Sequence, residues 1–491
     1  MDLVAGVDSS TQSCTVELRR RDDGALVGTA SAPHPRTAPP VSRQDPRAWW
    51  AAFRAAFSGA LRDADADARQ VVALAVGAQC HGLVLLGRDG EPLATAPLWN
   101  DTTAGPEAAR IAHEYGLERW MQDVGMAPSS ALTIMKLAHV ATTEPALLDR
   151  VAHVLVPHDY LTYRLTGEAV TDRSDAAGTG YLDVHRGEWR PELLERFVSS
   201  EVGWADVLPT VLGPDTPAGT VRPHVAAELG LGPGVVVGPG GGDQHLAAVG
   251  LGLAEGDLGV SLGTSGVVLS PRRTSVVDPL GTVDSVCDAT GGYLPLACTL
   301  NAAKVTDTFA RLLDVDHATL ERLALAAPVR AQRPTLVAYL DGERTPRRPG
   351  ATGVLGGITG ETTREDVALA AYEGVVAGLV GAARALERAG VDTSGEVVVN
   401  GGGARSLAYR QVLADALGRP VVRRAAPEAT ARGACVQAVA VLEGATVAGT
   451  AERWRPFALD AVPPRTDPAT IDAAHYDLLA TVADRPRPSA T

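Results

Sequence analysis

Lysine is almost missing from this sequence: Lys136 and Lys304 are the only two among 44 lysine and arginine residues. Neither stands in a G-x-x-x-x-G-K-[ST] run, so a P-loop nucleotide site is excluded. Cysteine is scarce as well. Cys14, Cys80, Cys287, Cys298 and Cys435 are isolated, odd in number and without C-x-x-C spacing. That pattern suggests neither a disulfide scaffold nor a zinc site and fits a reducing cytoplasm. Positive charge is outweighed, the net being −14, which argues against a nucleic-acid partner and against a membrane surface. The opening Met1-Asp2-Leu3-Val4 has no basic flank and no long apolar stretch, so no signal peptide is read. The longest apolar candidate, residues 367–383, is interrupted by Glu373 and by glycines. It reads as a buried helix rather than a membrane span. Near the end, Asp484-Arg485-Pro486-Arg487-Pro488 lacks any apolar pattern and is expected to be disordered.

What is present describes a globular chain. With 491 residues, 45% of them hydrophobic and 21% charged, two domains are expected. Apolar strands alternate with helical stretches throughout, which indicates an α/β fold. The first strand, Leu3 to Val7, ends at Asp8 and runs into the polar turn Ser9-Ser10-Thr11-Gln12-Ser13. A second strand from Cys14 to Arg19 returns, and Asp22-Asp23-Gly24 supplies a further turn. This is a β-hairpin with a polar tip, not a strand-to-helix turn of the dinucleotide-binding kind. A proline-rich loop over residues 33–46 then leads to an amphipathic helix starting near Asp45-Pro46.

The hairpin signal recurs. Gly259-Val260-Ser261-Leu262-Gly263-Thr264 repeats Gly6, Val7 and Thr11 at matching positions about one domain further on, as an internal duplication requires. Two more strands end in glycine runs, Val235-Val236-Val237 before Gly240-Gly241-Gly242-Asp243, and Val397-Val398-Val399 before Gly401-Gly402-Gly403. Such runs permit φ > 0 and close approach of a ligand to the backbone. Boundaries fall at 1–245, 246–445 and 446–491, the last an appendage with a helical stretch over 469–482.

Phosphoryl transfer needs a phosphate cradle, Mg²⁺ and a carboxylate for the attacking hydroxyl. Two polar hairpin turns, at Ser9–Ser13 and Ser261–Gly266, can supply the cradle through backbone N–H groups. Asp8 suits a metal held directly or through water; a turn-capping aspartate is the plainer alternative. Asp243, after three glycines and before a helical run, is expected at the helix N-cap, ionised and aimed as a general base. An N-cap without catalytic duty is the competing reading. Gln79-Cys80-His81-Gly82 and Trp99-Asn100-Asp101 place an imidazole, an indole and a carboxylate on loops of one domain, suited to gripping a polyol.

These tracts resemble the carbohydrate kinases of the FGGY type over residues 3–445. The resemblance includes Gln44-Asp45-Pro46, Asp159-Tyr160-Leu161, Ser174 to Thr179, Asp341 to Pro346 and Gly401 to Ser406. It implies two ribonuclease-H-like domains of the actin and hexokinase superfamily around a central cleft. It also implies ATP and Mg²⁺ as cofactors, a small sugar as partner, and suggests a homodimer. The implied activity is phosphorylation of D-xylulose at its 5-hydroxyl. Other ketoses, pentitols and glycerol are same-fold alternatives; a sugar sensor or an actin-like ATPase is a rival of another class. Asp243 becomes the proton acceptor, with Asp8 near the metal. Cys80, His81, Trp99, Asp243 and Gln244 fall to the sugar, Thr11, Thr264 and Ser265 to the phosphates, and Gly402, Gly403 and Ser406 to the adenosine end. Three positions depart from the family pattern: Cys80 replaces methionine, Gln244 replaces asparagine, and Thr15 stands where lysine is common.

Overall fold

The computed structural model describes residues 1–328, 333–465 and 473–483. The expected disordered segment 484–488 lies outside them, as does the start of the helical stretch expected over 469–482. The described part of that stretch is a helix, Ala473–Ala483.

Two seven-stranded sheets form the frame. In the first, Leu3–Ser9 pairs antiparallel with Ser13–Arg20, which pairs antiparallel with Leu26–Pro33. On its other side Leu3–Ser9 runs parallel to Val71–Ala78, and that strand runs parallel to Val236–Val237. A short antiparallel strand, Gly219–Thr220, closes the edge, and Gly241–Gly242 also pairs with Val71–Ala78. The second sheet repeats this plan. Leu258–Leu262 pairs antiparallel with Gly266–Leu269, then come Tyr293–Thr299 and Asp284–Cys287. Its other flank is parallel to Val397–Asn400, which is parallel to Val421–Arg424, and Ala458–Val462 closes that edge antiparallel. The hairpins expected at Gly6–Ser13 and Gly259–Gly266 thus occupy equivalent places in equivalent sheets.

Valine-rich central strands are buried because parallel strands carry helices on their faces. The helix Pro46–Asp63 starts where the sequence places it, with Asp45 as N-cap accepting from the Arg47 N–H and proline in the first turn. Its Trp49, Phe53 and Phe57 are buried in the core of the first sheet. The helix Arg364–Arg388 opens on a Thr363/Asp366 capping box and packs into the core of the second sheet. It is long and apolar enough to cross a membrane, yet 78% of its apolar window is buried inside the fold.

Two helices join the halves. One, Asp243–Gly250, follows the Gly240-Gly241-Gly242 run; the other, Ala429–Glu443, comes from far along the chain but packs on the first sheet, with Cys435 and Ala434 beside Val4 and Ala75. They cross backbone to backbone. A Cβ built on Gly250 would stand 1.8 Å from the Ala429 carbonyl oxygen, and one on Gly433 would stand 1.9 Å from the Leu246 carbonyl oxygen. Gly6 is pressed on the same helix, 1.9 Å from the Ala431 oxygen by the same measure. Only glycine permits this approach.

Candidate active site

The first hairpin brings Asp8 opposite Thr15 on one side and opposite Gly77 on the other. Gly77 in turn faces Gly241. Asp8 and the start of the Asp243 helix therefore flank one strand, and the two carboxylates feel each other. Burial, then the charges of Asp243, Glu428 and Glu17, push the Asp8 pKa well above the usual carboxylate range. Asp8 Oδ1 is buried with no hydrogen-bond partner. An orphaned carboxylate oxygen among other carboxylates is a site that a cation would relieve. Among the described residues, no group of three or more His, Cys, Asp and Glu side chains is arranged to hold a metal alone. Thr15, in the place of the family's lysine, is buried and hydrogen-bonds Ser31 Oγ at 2.6 Å.

Asp243 departs from its expected place by one residue. Gly242 is the N-cap, and Asp243 is the first helical residue. Its Oδ1 accepts the Gln244 N–H at 2.7 Å and the Cys80 thiol at 3.6 Å. It remains ionised at neutral pH, as expected, though its surroundings oppose this. Burial raises its pKa to about 6, with Asp175 adding to the rise, while the Gln244 N–H and the Cys80 thiol pull it down. The side chain still reaches solvent. Such a group is ionised at neutral pH and basic enough to take a proton from an alcohol in a transition state.

Three side chains that the sequence reading missed, those of Gln437, Thr430 and His158, fix this aspartate and its approach. Gln437, fully buried on the Ala429–Glu443 helix, grips Gly240 through both of its amide atoms at 2.9 Å. Thr430 donates to the Asp243 carbonyl at 3.1 Å. Gly240 itself sits at φ +83, which a larger residue would resist. Behind it, His158 is fully buried between Asp175 Oδ2 (3.1 Å) and Asp159 Oδ1 (3.0 Å). Burial alone would strip its proton, but Asp159, Asp175 and Asp172 hold its pKa well above the ordinary value. One signal was available for Gln437: it is the lone amide in the small apolar run Ala434 to Leu442.

The residues expected on the sugar side lie on neighbouring loops. Cys80 is buried against Gly242, where a Cβ would come within 2.5 Å of its sulfur. His81 has φ +65, an unusual backbone for a non-glycine residue, and costs about 1–2 kcal/mol unless its surroundings hold it. Its ring lies on Gly178, where a Cβ would meet it at 2.3 Å, and burial lowers its pKa to about 3, with Lys136 and His245 adding to the fall. The imidazole is therefore neutral at working pH. Trp99, 42% exposed, donates Nε1–H to Thr11 Oγ1 at 2.9 Å, and Thr11 donates to Gln79 Oε1 at 3.1 Å. This chain ties the Cys80 loop and the Trp99 loop to the tip of the first hairpin. Asp101 does not join them. Its carboxylate is buried and accepts the Ser42 and Thr103 N–H groups at 2.9 Å, shaping its own loop.

The second hairpin exposes Thr264 and Ser265 at its tip. Gly401, at φ +86, and Gly403 pack on Leu262 at the end of the neighbouring strand. Gly402 and Gly403 therefore stand beside the turn that carries Thr264 and Ser265. Ser406 caps the following helix through the Tyr409 N–H, and its hydroxyl hydrogen-bonds Glu321. Its hydroxyl is thus already engaged within the protein.

Duplicated sheets, each with a polar hairpin turn at the end of its first strand, and a half-buried aspartate at the start of a connecting helix fit a carbohydrate kinase of the actin and hexokinase superfamily. The N-terminal domain model of the FGGY family of carbohydrate kinases matches residues 3–250, and the C-terminal domain model matches residues 258–442. The chain belongs to the FGGY family of carbohydrate kinases. It is 39% identical over 474 residues to a xylulose kinase of Streptomyces coelicolor, covering 96% of this chain and 94% of that one. A xylulose kinase of Escherichia coli K12 is 34% identical, covering 84% of both chains. The crystal structure of xylulose kinase from Bifidobacterium adolescentis superposes with a TM-score of 0.84 at 35% identity, over 98% of this chain and 99% of that one.

Proposed function

We propose that this protein transfers the γ-phosphoryl group of ATP to the 5-hydroxyl of D-xylulose, giving D-xylulose 5-phosphate and ADP in the cytoplasm as part of xylose catabolism. The observation that carries the reading is the Asp243 carboxylate, fixed at a helix start, next to Cys80, with burial raising its pKa to about 6. Asp243 accepts the hydroxyl proton on its carboxylate as the sugar oxygen attacks phosphorus. Cys80, His81, Trp99 and Gln244 bound the sugar, and Cys80, shorter than methionine, leaves added room there. The N–H groups and hydroxyls at Thr11, Thr264 and Ser265 line the phosphate path, and Gly402, Gly403 and Ser406 the adenosine end. Mg²⁺ held by Asp8 together with the phosphates would supply charge neutralisation. Closure of the two domains, 1–245 and 246–445, on the substrates excludes water, the competing nucleophile.

Two measurements test this. A coupled ADP-release assay over D-xylulose, ribulose, pentitols and glycerol should give D-xylulose the highest kcat/KM; a better acceptor replaces the sugar assignment. Asp243→Asn should lower turnover by about 10²–10⁴-fold with the ATP dissociation constant nearly unchanged, and near-normal turnover removes Asp243 as the base.

A further inference from the structure

In a chain that otherwise places arginine at its cationic positions, two lysines remain. Lys304 is ordinary: its Nζ pairs with Asp341 Oδ2 at 3.1 Å near the surface. Lys136 is not. It lies on the helix Thr133–Thr143, is 2% exposed, and directs its amine at backbone carbonyls instead of a carboxylate. Nζ donates to the His81 carbonyl at 3.0 Å and also to the Ala131 carbonyl. Burying a long cationic side chain is unfavourable unless its N–H groups are satisfied and something requires them there.

The requirement is the His81 backbone. His81 sits in the left-handed region at φ +65, which an L-residue leaves readily unless both of its peptide groups are held. They are held. On one side the His81 N–H donates to Asp175 Oδ1 at 3.3 Å. On the other, the His81 carbonyl accepts from Thr133 Oγ1 at 3.1 Å and from Lys136 Nζ at 3.0 Å. Asp175 is anchored in turn by His158. If φ returned to a negative value, the imidazole would swing off Gly178, on which it now rests. Arginine fits this duty poorly, because its planar fork brings five N–H donors into a pocket that offers two carbonyls. A compact amine on a flexible stem fits.

We propose that Lys136 is the positioning residue for sugar binding: together with Thr133 it clamps the His81 carbonyl and so aims the imidazole at the acceptor sugar. The inference rests on the reading of His81 as a sugar contact. Lys136 acts only through His81 and touches neither substrate.

The test is a double-mutant cycle on the full chain, with KM for sugar, KM for ATP and kcat measured for each variant. Loss of the buried amine's hydrogen bond corresponds to about 5–100-fold, so Lys136→Met should raise the sugar KM by that factor while the ATP KM moves less than about threefold. Lys136→Arg should fare no better. His81→Gly removes the ring and accepts positive φ unaided, so adding Lys136→Met to it should cost less than about threefold more. Multiplied losses in the double variant, or equal rises in both KM values, overturn the proposal. His81→Ala separates the two layers. An unchanged sugar KM in that variant removes His81 from the sugar site, and the proposal with it. A large rise there beside a silent Lys136→Met removes the proposal alone. Should Lys136→Met show no cooperative melting transition, Lys136→Ala titrated with ethylamine takes its place. Saturable recovery of sugar affinity supports the clamp, and no response to the amine refutes it.

Discussion

The two hairpin tips are built on one backbone plan and carry opposite chemistry. At the first, the strand ends on a carboxylate, Asp8, whose neighbours are other carboxylates, and Thr11 is tied to Gln79 and Trp99. At the second, Ser261 stands where the duplication would put Asp8, and Thr264 and Ser265 are exposed. The first tip is acidic and braced to the Gln79 and Trp99 loops. The second is neutral and open, bordered by the Gly401-Gly402-Gly403 turn. A duplicated cradle with a carboxylate in each half would repel a triphosphate from both sides. Confining the acid to one half would leave the other, on the proposed reading, free to receive phosphate oxygens on N–H and O–H donors.

That division of labour can be broken in graded steps. Asp8→Asn removes the acid from the first tip and should lower kcat by about 10²-fold or more, the scale of losing a charge that organises phosphoryl transfer; steady-state kinetics at saturating Mg²⁺ and ATP read it. Ser261→Asp copies the acid into the second tip. It should raise the ATP KM by tens of fold, since a like charge near a phosphate costs about 2 kcal/mol or more, with the sugar KM little changed. Acid should affect the sugar-side half first. Asp243 has a raised pKa of about 6, so kcat/KM should fall about tenfold for each pH unit below it, and Asp243→Asn should abolish that limb. The same shift makes the ionised group unfavourable to folding: the penalty is absent below about pH 4, where the carboxyl is protonated in both states, and stability is lost as pH rises through about 6. Asp243→Asn should therefore raise the melting temperature at pH 7.5 in a calorimeter while destroying turnover. The smallest expected effect separates the threonines. Thr11→Val loses two hydrogen bonds of about 1 kcal/mol each and, through the Gln79 and Trp99 loops it ties, should raise the sugar KM by roughly 5- to 30-fold together with the ATP KM, whereas Thr264→Val should raise the ATP KM alone and by less.

How much of this was legible in the sequence follows from how far each signal reaches along the chain. The hairpins and glycine runs are local: an apolar strand, then Asp8-Ser9-Ser10-Thr11 or Gly240-Gly241-Gly242-Asp243, announces its turn within a few residues. The repeat of Gly259 to Thr264 on Gly6 to Thr11 carried the two-sheet plan. Thr430 and Lys136 gave no local sign, and Gln437 only that of a lone amide in an apolar run, because each acts on a backbone group dozens to nearly two hundred residues away; His158 works instead through the nearby carboxylates of Asp159 and Asp175. Asp101 shows the converse error. A carboxylate in a polar loop looks available, yet an aspartate two residues before a free N–H readily folds back on it, as Asp101 does with Thr103. The one-residue slip at Asp243 has a similar origin, since Gly242 can cap a helix without any side chain to reveal it.

The crossing of Gly250 on Gly433 has a consequence for how this protein can vary. Neither position is among the residues expected at the site, and neither carries a side chain. Yet the smallest possible change at either one, a single methyl group, would push the Asp243 helix off the helix that carries Gln437 and Thr430, moving Asp243 without altering it. A survey of all substitutions, scored by growth on the sugar, should therefore find these two silent positions as intolerant as the aspartate itself. The map of indispensable residues would then trace a line running away from the cleft into the joint between the halves.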